Sequence, residues 1–178
     1  MFVLINGAFG VGKSAVAREL RALLPGSVIY DPEPAGVLLQ RIVRPRPSDF
    51  QDLPSWRRLT VAAARGVSAL RTPVIIPMTF SNIDYLSEIQ VGLAKSGRPI
   101  LHFCLTAPLE IVRQRLRNRG EPPDDPRWSW VHRRAAECCA AHQDSSFATH
   151  VATESCSVSA VAAELAARIS LSGPRTRD

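Results

Sequence analysis

The sequence contains almost no lysine, few cysteines and no long apolar run. Only two lysines, Lys13 and Lys95, stand against 20 arginines in 178 residues. The four cysteines lack C-x-x-C or Cys/His zinc spacing, which argues against a zinc module and is typical of reduced thiols. No apolar stretch approaches the roughly 20 residues that a membrane-spanning helix needs. We therefore expect a cytoplasmic protein without a transmembrane segment.

Motifs of several enzyme and binding classes are missing as well. The histidines show no H-E-x-x-H or paired ligand spacing, and no serine lies in a G-x-S-x-G elbow. The net charge is +6, but the sequence has no basic–aromatic interleaving, helix-turn-helix or zinc-finger pattern, so nucleic acid is not an expected partner. Hydrophobic residues make up 46% of the chain, which is enough for one sizeable core.

A glycine-rich motif near the N-terminus is the most informative feature that is present. The apolar run Met1 to Ile5 precedes it and the helix-like run Ala15 to Leu24 follows it, which is the setting of a P-loop. In such a loop, backbone N–H groups face phosphate oxygens, Lys13 reaches the β- and γ-phosphates, and the Ser14 hydroxyl binds Mg²⁺. The predicted ATP-binding residues are Gly7, Ala8, Phe9, Gly10, Val11, Gly12, Lys13 and Ser14.

Short apolar segments alternate with helical patterns along the whole chain. This alternation predicts an α/β fold with a mostly parallel, five-stranded sheet and helices on both faces, so ligands should lie at the carboxyl ends of the strands. Two prolines, Pro32 and Pro34, predict a stiff loop rather than a helix. The predicted strands are 2–5, 27–30, 74–76, 100–105 and 150–153, and the predicted helices are 15–24, 36–43, 54–70, 83–94, 109–119, 127–142 and 158–169.

Acidic and polar residues at the predicted strand ends are candidates for chemistry. Asp31 follows the second strand, and beside the P-loop strand its carboxylate would accept a substrate hydroxyl proton or position Mg²⁺. The alternative for Asp31 is an Asp-Pro turn, and Glu33 is the second candidate base. After the third strand only Thr79 is polar, so the Walker B carboxylate of many P-loop enzymes is missing.

Two further groups of residues are candidates for binding the acceptor and the phosphates. Trp56 and Arg57 open a predicted helix and would suit a ring-bearing, anionic or sugar-like acceptor, unless Trp56 is in the core and Arg57 in solvent. Arg113 and Arg117 share a helix face and precede an acidic, proline-rich segment. We expect a small lid at about residues 113–127 that supplies positive charge to the phosphates. The alternative is a solvated basic helix.

Several of these motifs together resemble the TmrB-like tunicamycin-resistance proteins, over a stretch from Phe2 to about Ile169. The resemblance implies a three-layer P-loop kinase-like fold related to chloramphenicol phosphotransferase, ATP binding, and resistance to tunicamycin, a uridine-containing antibiotic. By analogy with that phosphotransferase it gives Asp31 the role of base. The matching motifs are Ile5-Asn6 followed by the P-loop, Tyr30-Asp31-Pro32-Glu33, Asp49-Phe50-Gln51, Trp56-Arg57 and Pro77-Met78-Thr79.

The same resemblance implies a membrane-associated C-terminal helix, and hence a peripheral membrane contact. In this chain the helix has Val158, Val161, Leu165 and Ile169 on one face. It is short, almost uncharged and free of aromatic residues, which favours packing on the sheet over lying on a bilayer. We expect one nucleotide-binding domain over residues 1–170 and a frayed tail over 171–178.

Three functions are compatible with these features. The first is an ATP-dependent kinase that phosphorylates a nucleoside-like antibiotic, with Asp31, Lys13 and Arg117 as catalytic residues. The second is an ATP-dependent binding protein that sequesters the drug without turnover, which the missing Walker B acid favours. The third is a housekeeping nucleoside or nucleotide kinase, which lacks support because no D-G-x-x-R-type substrate motif is present.

Overall fold

A five-stranded parallel sheet forms the centre of the computed structural model, which describes residues 1–147 and 149–172. The strand order is β2-β3-β1-β4-β5, and helices cover both faces, as the alternating sequence pattern predicted. The strands are β1 Phe2–Gly7, β2 Val28–Ile29, β3 Val74–Pro77, β4 Ile100–Thr106 and β5 Thr149–Ala152. The helices are α1 Lys13–Leu23, α2 Glu33–Ile42, α3 Pro54–Leu70, α4 Ile83–Ala94, α5 Leu109–Asn118, α6 Ser129–Ala141 and α7 Val158–Leu171.

The strand order corrects one expectation about Asp31. β3 pairs with β1 on one side and with β2 on the other, so β2 is an edge strand and Asp31 does not lie beside the P-loop strand. Asp31 still lies at the carboxyl edge of the sheet, one strand further from the P-loop.

The central strand β1 divides the core into two layers. Its side chains are completely buried and alternate between the two faces, as the twofold period of a strand requires. Phe2 and Leu4 pack with α3 and α4, whereas Val3 and Ile5 pack with α1 and α7. Each such side chain stabilises the fold by about 1.5–3 kcal/mol. The P-loop therefore begins from the most deeply buried strand.

The C-terminal helix α7 belongs to the second layer. Val161, Leu165 and Ile169 are buried there, and Val158 is partly exposed. The helix extends to Leu171, past the predicted boundary, and residues 173–178 of the predicted tail lie outside the described residues. Within the described part of the chain, no helix combines the length and the apolar character needed to cross a membrane.

Helix α2 begins three residues earlier than predicted. Pro32 is its N-cap residue and Pro34 lies in its first turn, where a proline is tolerated because the missing N–H would have no intrahelical partner. A Cβ atom on Gly36 would overlap the Phe50 ring, so α2 packs closely on the 3₁₀ turn Phe50–Asp52. This packing keeps Glu33 at the carboxyl edge of the sheet.

Asn6 connects the end of β1 to two other parts of the fold. Its side chain accepts from the Phe80 N–H at 2.8 Å and donates to the Phe80 carbonyl at 3.1 Å. The His142 Nε2 lies 3.2 Å from Asn6 Nδ2 and 2.6 Å from the same carbonyl. The residue before the P-loop is thus fixed to the β3–α4 loop and to the end of α6.

Candidate functional site

The P-loop, residues 7–14, connects β1 to α1 through backbone conformations that favour glycine. Gly10 and Gly12 have φ angles of 80° and 114°. A Cβ on Gly10 would also lie 2.9 Å from Leu116 Cγ, so the loop rests directly on α5. The N–H groups of Gly10, Gly12 and Lys13 have no hydrogen-bond partner in residues 1–147 and 149–172. These free donors at the start of α1 are suited to anionic oxygens.

Lys13 is a buried cation that faces the loop from within. Its Nζ donates to the Ala8 carbonyl at 2.9 Å and lies 5.5 Å from the centre of the Phe9 ring. Burial lowers the pKa of Lys13, while Glu33 acts in the opposite direction. No carboxylate within the described ranges forms an ion pair with Lys13. A bound phosphate would supply the missing negative charge.

A cleft of about 470 Å³ opens above the loop, and we call it the nucleotide cleft. It brings together residues that are far apart in the sequence, and Ser14 is exposed within it. Among the residues that the structure describes, no three His, Cys, Asp or Glu side chains are grouped as a metal site. The polar residues that line the cleft are Lys13, Ser14, Arg18, Asp31, Glu33, Thr79, Arg115 and Arg119.

The two candidate bases differ in their surroundings. Asp31 is exposed, and its Oδ1 accepts the Glu33 N–H at 3.0 Å, which is the turn geometry expected as the alternative role. Glu33 is more buried and accepts from the Thr79 hydroxyl at 3.4 Å. Burial raises the pKa of Glu33, and nearby Lys13 lowers it by a smaller amount. Both carboxyl groups line the nucleotide cleft.

The structure places Trp56 and Arg57 away from the nucleotide cleft. Trp56 is 1% exposed, packs between the Phe50 and Phe80 rings, and donates from Nε1 to the Pro32 carbonyl at 3.0 Å. Trp56 is therefore a core residue, as in the alternative interpretation.

Arg57 is not in solvent, and its role in binding an acceptor stays a prediction. Its guanidinium is buried rather than solvated, pairs with Glu88 and lies 4.0 Å from the centre of the Tyr85 ring. Arg57 therefore joins α3 to α4 and contacts no part of the nucleotide cleft.

The arginines of α5 that reach the cleft are not the predicted pair. Arg113 forms an ion pair with Glu110 at 3.0 Å, and Arg117 is exposed. Arg115 and Arg119, which are also four residues apart, line the cleft instead. The apolar residues Val112 and Leu116 mark the buried face of α5, and the prediction overlooked them. Arginines close to this face point towards the P-loop. At 3.6 residues per turn, Arg119 lies about 40° from the centre of that buried stripe and Arg117 about 120°.

Arg115 fixes the P-loop to the end of β5. Its Nη1 donates to the Val11 carbonyl at 3.1 Å and to the Thr153 hydroxyl at 3.0 Å, and its Nη2 donates to the Thr153 carbonyl at 2.6 Å. The Thr153 hydroxyl also donates to the Val11 carbonyl at 3.2 Å. Thr153 follows a predicted strand at the carboxyl edge of the sheet, but sequence reasoning missed Arg115, because its partners on Val11 and Thr153 are more than 30 residues away.

Arg119 has a different kind of partner. Its guanidinium pairs with both carboxylate oxygens of Glu121, each at 2.7 Å. The Glu121 carbonyl in turn lies 2.7 Å from His132 Nε2 on α6. Arg119 therefore keeps its charge at the edge of the nucleotide cleft while the α5–α6 loop is held against α6.

A glycine loop with free N–H groups, a buried lysine and a cleft at the carboxyl edge of a parallel sheet define a P-loop nucleotide-binding protein. Residues 2–144 match the model of a family described as an AAA domain, and the chain belongs to that family. No curated protein sequence matches the chain significantly.

Solved structures identify the family more closely. The tunicamycin resistance protein of Deinococcus radiodurans is 32% identical, with a TM-score of 0.75 and 94% of each chain covered. This chain belongs to the same family, which confirms the resemblance in the sequence.

Two kinases share the fold at lower identity. A gluconokinase from Sinorhizobium meliloti is 16% identical, with a TM-score of 0.62 and 95% of each chain covered. A shikimate kinase from Acinetobacter baumannii is 14% identical, with a TM-score of 0.60, and the match covers 98% of this chain and 95% of that one.

Proposed function

We propose that this protein is an ATP-dependent kinase that inactivates tunicamycin or a related nucleoside antibiotic by phosphorylating a hydroxyl group. The observation that carries the proposal is the meeting of the P-loop, two carboxyl groups and an arginine in one cleft. The family relationship to a tunicamycin resistance protein supports the choice of acceptor. Residues 1–170 would form the single catalytic domain.

The P-loop side of the cleft would bind the β- and γ-phosphates of ATP. The free N–H groups of Gly10, Gly12 and Lys13 are the donors, and the buried Lys13 ammonium supplies charge. The exposed Ser14 hydroxyl would be the protein's ligand for Mg²⁺, with Asp31 as a further candidate. The remaining ligands would be phosphate oxygens and water. Bound Mg²⁺ neutralises charge that develops on the phosphates.

The carboxyl groups of the cleft would bind the acceptor hydroxyl and accept its proton. Asp31 accepts the hydroxyl proton as the oxygen attacks the γ-phosphorus, and ADP leaves from the opposite side. Glu33 is the second candidate base, because its raised pKa brings it closer to neutral pH. Arg119 replaces Arg117 as the residue proposed to stabilise charge on the transferred group, since Arg119 lines the cleft.

One observation favours sequestration of the drug as a second candidate function. Pro77, Met78 and Thr79 follow Ile76, so the third strand ends without a Walker B carboxylate. A protein of this kind would bind ATP and drug together without transferring phosphate.

Mass spectrometry of tunicamycin after incubation with the protein and Mg-ATP separates the two functions. The kinase proposal expects drug that has gained the mass of one phosphoryl group. Asp31→Asn should slow that transfer by roughly 10²–10⁴-fold while ATP still binds. Asp84→Asn, at an exposed carboxylate in the first turn of α4, is the matched control. Drug that binds wild-type protein but stays unmodified would refute the kinase and support sequestration.

A further inference from the structure

A second cleft, of about 380 Å³, lies between the 3₁₀ turn Phe50–Asp52, the β3–α4 loop and α6. We call it the α6 cleft. Three carboxylates, Asp49, Asp52 and Glu137, line it together with two arginines, Arg133 and Arg134, and the rings of Tyr85 and Trp130. The roles proposed for the nucleotide cleft use none of these residues.

The α6 cleft lies next to the nucleotide cleft, and residues lining the one contact residues lining the other. The Trp130 ring packs edge-on against the ring of Phe9, with 5.5 Å between centroids, and Phe9 lines the nucleotide cleft. On the other side, Gln51 lines the α6 cleft and donates from Nε2 to the carbonyl of Thr79 at 2.6 Å. Thr79 lines the nucleotide cleft. The two clefts are therefore direct neighbours along the carboxyl edge of the sheet.

Within the described residues, Arg134 forms the ion pairs of the α6 cleft, and the three carboxylates and two arginines of its lining leave a net charge of −1. Arg134 lies 3.4 Å from Asp49 and 2.7 Å from Glu137, and it donates to the Ser81 hydroxyl at 3.0 Å. The Asp49 and Arg134 side chains are only 13% and 15% exposed. An anionic ligand would bring further negative charge close to three carboxylates, at an electrostatic cost.

Groups that can bind an uncharged polar ring remain available there. Carboxylate oxygens accept several hydrogen bonds each, which suits neighbouring hydroxyl groups. The half-buried Trp130 offers an aromatic surface for stacking. Hydroxyl groups and a flat ring occur together in nucleosides.

We propose that the α6 cleft binds the uncharged, hydroxylated ring system of the acceptor and thereby presents one of its hydroxyl groups to Asp31. This inference rests on the proposed function, because it names where and by which chemistry the acceptor of that reaction is held. Trp130 stacks on a ring of the acceptor, and Glu137 accepts a hydrogen bond from a hydroxyl group. The carboxylates of the α6 cleft select against acceptors whose ring system is negatively charged.

Titration of the protein with tunicamycin by calorimetry, in the presence of a non-hydrolysable ATP analogue, tests the inference. Trp130→Ala should weaken drug binding by about tenfold or more, and Trp130→Phe by much less, because a ring remains. Glu137 contacts neither Phe9 nor the P-loop. Glu137→Ala should weaken the binding of tunicamycin by about tenfold. Trp128→Ala, outside both clefts, is the control and should bind like wild type. Affinity for the ATP analogue should change by less than about twofold in all variants.

The outcomes separate this inference from the proposed function. Wild-type affinity for tunicamycin in both Trp130→Ala and Glu137→Ala would overturn the α6 cleft and leave the kinase proposal intact. An equal loss in Trp128→Ala would also overturn it, because the effect would then belong to α6 as a whole. Wild-type protein that binds no tunicamycin would overturn the proposed acceptor and this inference together.

Discussion

Replacing the arginines of α5 by alanine one at a time tests which face of that helix serves the nucleotide. Among the described residues Arg119 pairs with Glu121, and 56% of the Arg119 side chain but only 12% of the Glu121 side chain is exposed. An exposed pair contributes about 0–1 kcal/mol, but Arg119→Ala also leaves the largely buried Glu121 carboxylate without its partner, so we expect a loss of about 1–3 kcal/mol in the free energy of unfolding. A charged hydrogen bond to phosphate is worth about 1.5–3 kcal/mol. Arg119→Ala should therefore weaken ATP binding by about 10- to 150-fold.

Arg115→Ala should act mainly through stability. It removes three hydrogen bonds from a charged donor to Val11 and Thr153. Each is worth about 1.5–3 kcal/mol on average, but bonds from one side chain are not additive and this one is partly exposed. We expect a loss of about 2–4 kcal/mol in the free energy of unfolding. Arg115→Lys should recover only part of it, because an ammonium group lacks the planar fork.

The assay combines urea unfolding with calorimetric titration of ATP, on the four alanine variants, Arg115→Lys and wild type. Arg113→Ala and Arg117→Ala are internal controls. Each removes one arginine charge from the same helix, at a position that does not line the nucleotide cleft. Both should change stability and ATP affinity little. If Arg117→Ala weakened ATP binding more than Arg119→Ala did, the orientation of α5 described above would be wrong. If Arg115→Ala unfolded like wild type, Arg115 would not hold the P-loop to β5.

Three further predictions concern buried ionisable groups. Lys13→Ala should lower ATP affinity by at least about 100-fold while circular dichroism stays unchanged, and equal affinity by calorimetry would contradict the role of the P-loop. Because the pKa of Glu33 is raised in the folded protein, its ionisation costs stability as the pH rises. Glu33→Gln should therefore be more stable than wild type in urea at pH 7 and equal to it below about pH 4; a difference that is the same at both pH values would count against a raised pKa. Burial lowers the pKa of His142 to about 4, so the stability of wild type should fall as the pH drops from 6.5 towards 4. His142→Gln should reduce the slope of that loss by about 1.4 kcal/mol per pH unit, and an unchanged slope would mean that His142 is not the group responsible.

The architecture could be predicted from the sequence because it follows from local patterns. The continuous apolar run of β1, the glycine spacing and the N-cap of α4 at Asn82 are all local, and the bounds of α3 and α4 agree with the structure. The start of α2 was misplaced because a proline counts against a helix interior and not against a first turn, and the sequence alone does not say which applies to Pro34.

The side chains of the candidate site were harder to predict, because their orientation depends on tertiary packing. Four arginines on one short helix contain two pairs with the same spacing, and only the burial of Leu116 distinguishes the face with Arg119. Arg57 follows a buried tryptophan, yet its partner Glu88 lies on another helix, so no local pattern indicates the pair. The α6 cleft likewise consists of segments more than 70 residues apart, from Asp49 to Trp130.

The close approach of Gly10 to Leu116 has a consequence for kinetics. A glycine in the phosphate loop and a leucine of α5 are so close that neither can move far without the other, and the Arg115 hydrogen bonds connect the same two elements. Ordering of the loop around phosphate and settling of α5 should therefore be a single event with one rate constant. Stopped-flow fluorescence of nucleotide association would then show one phase. Enlarging position 10, as in Gly10→Ala, would force the loop and the helix apart and split that phase into two.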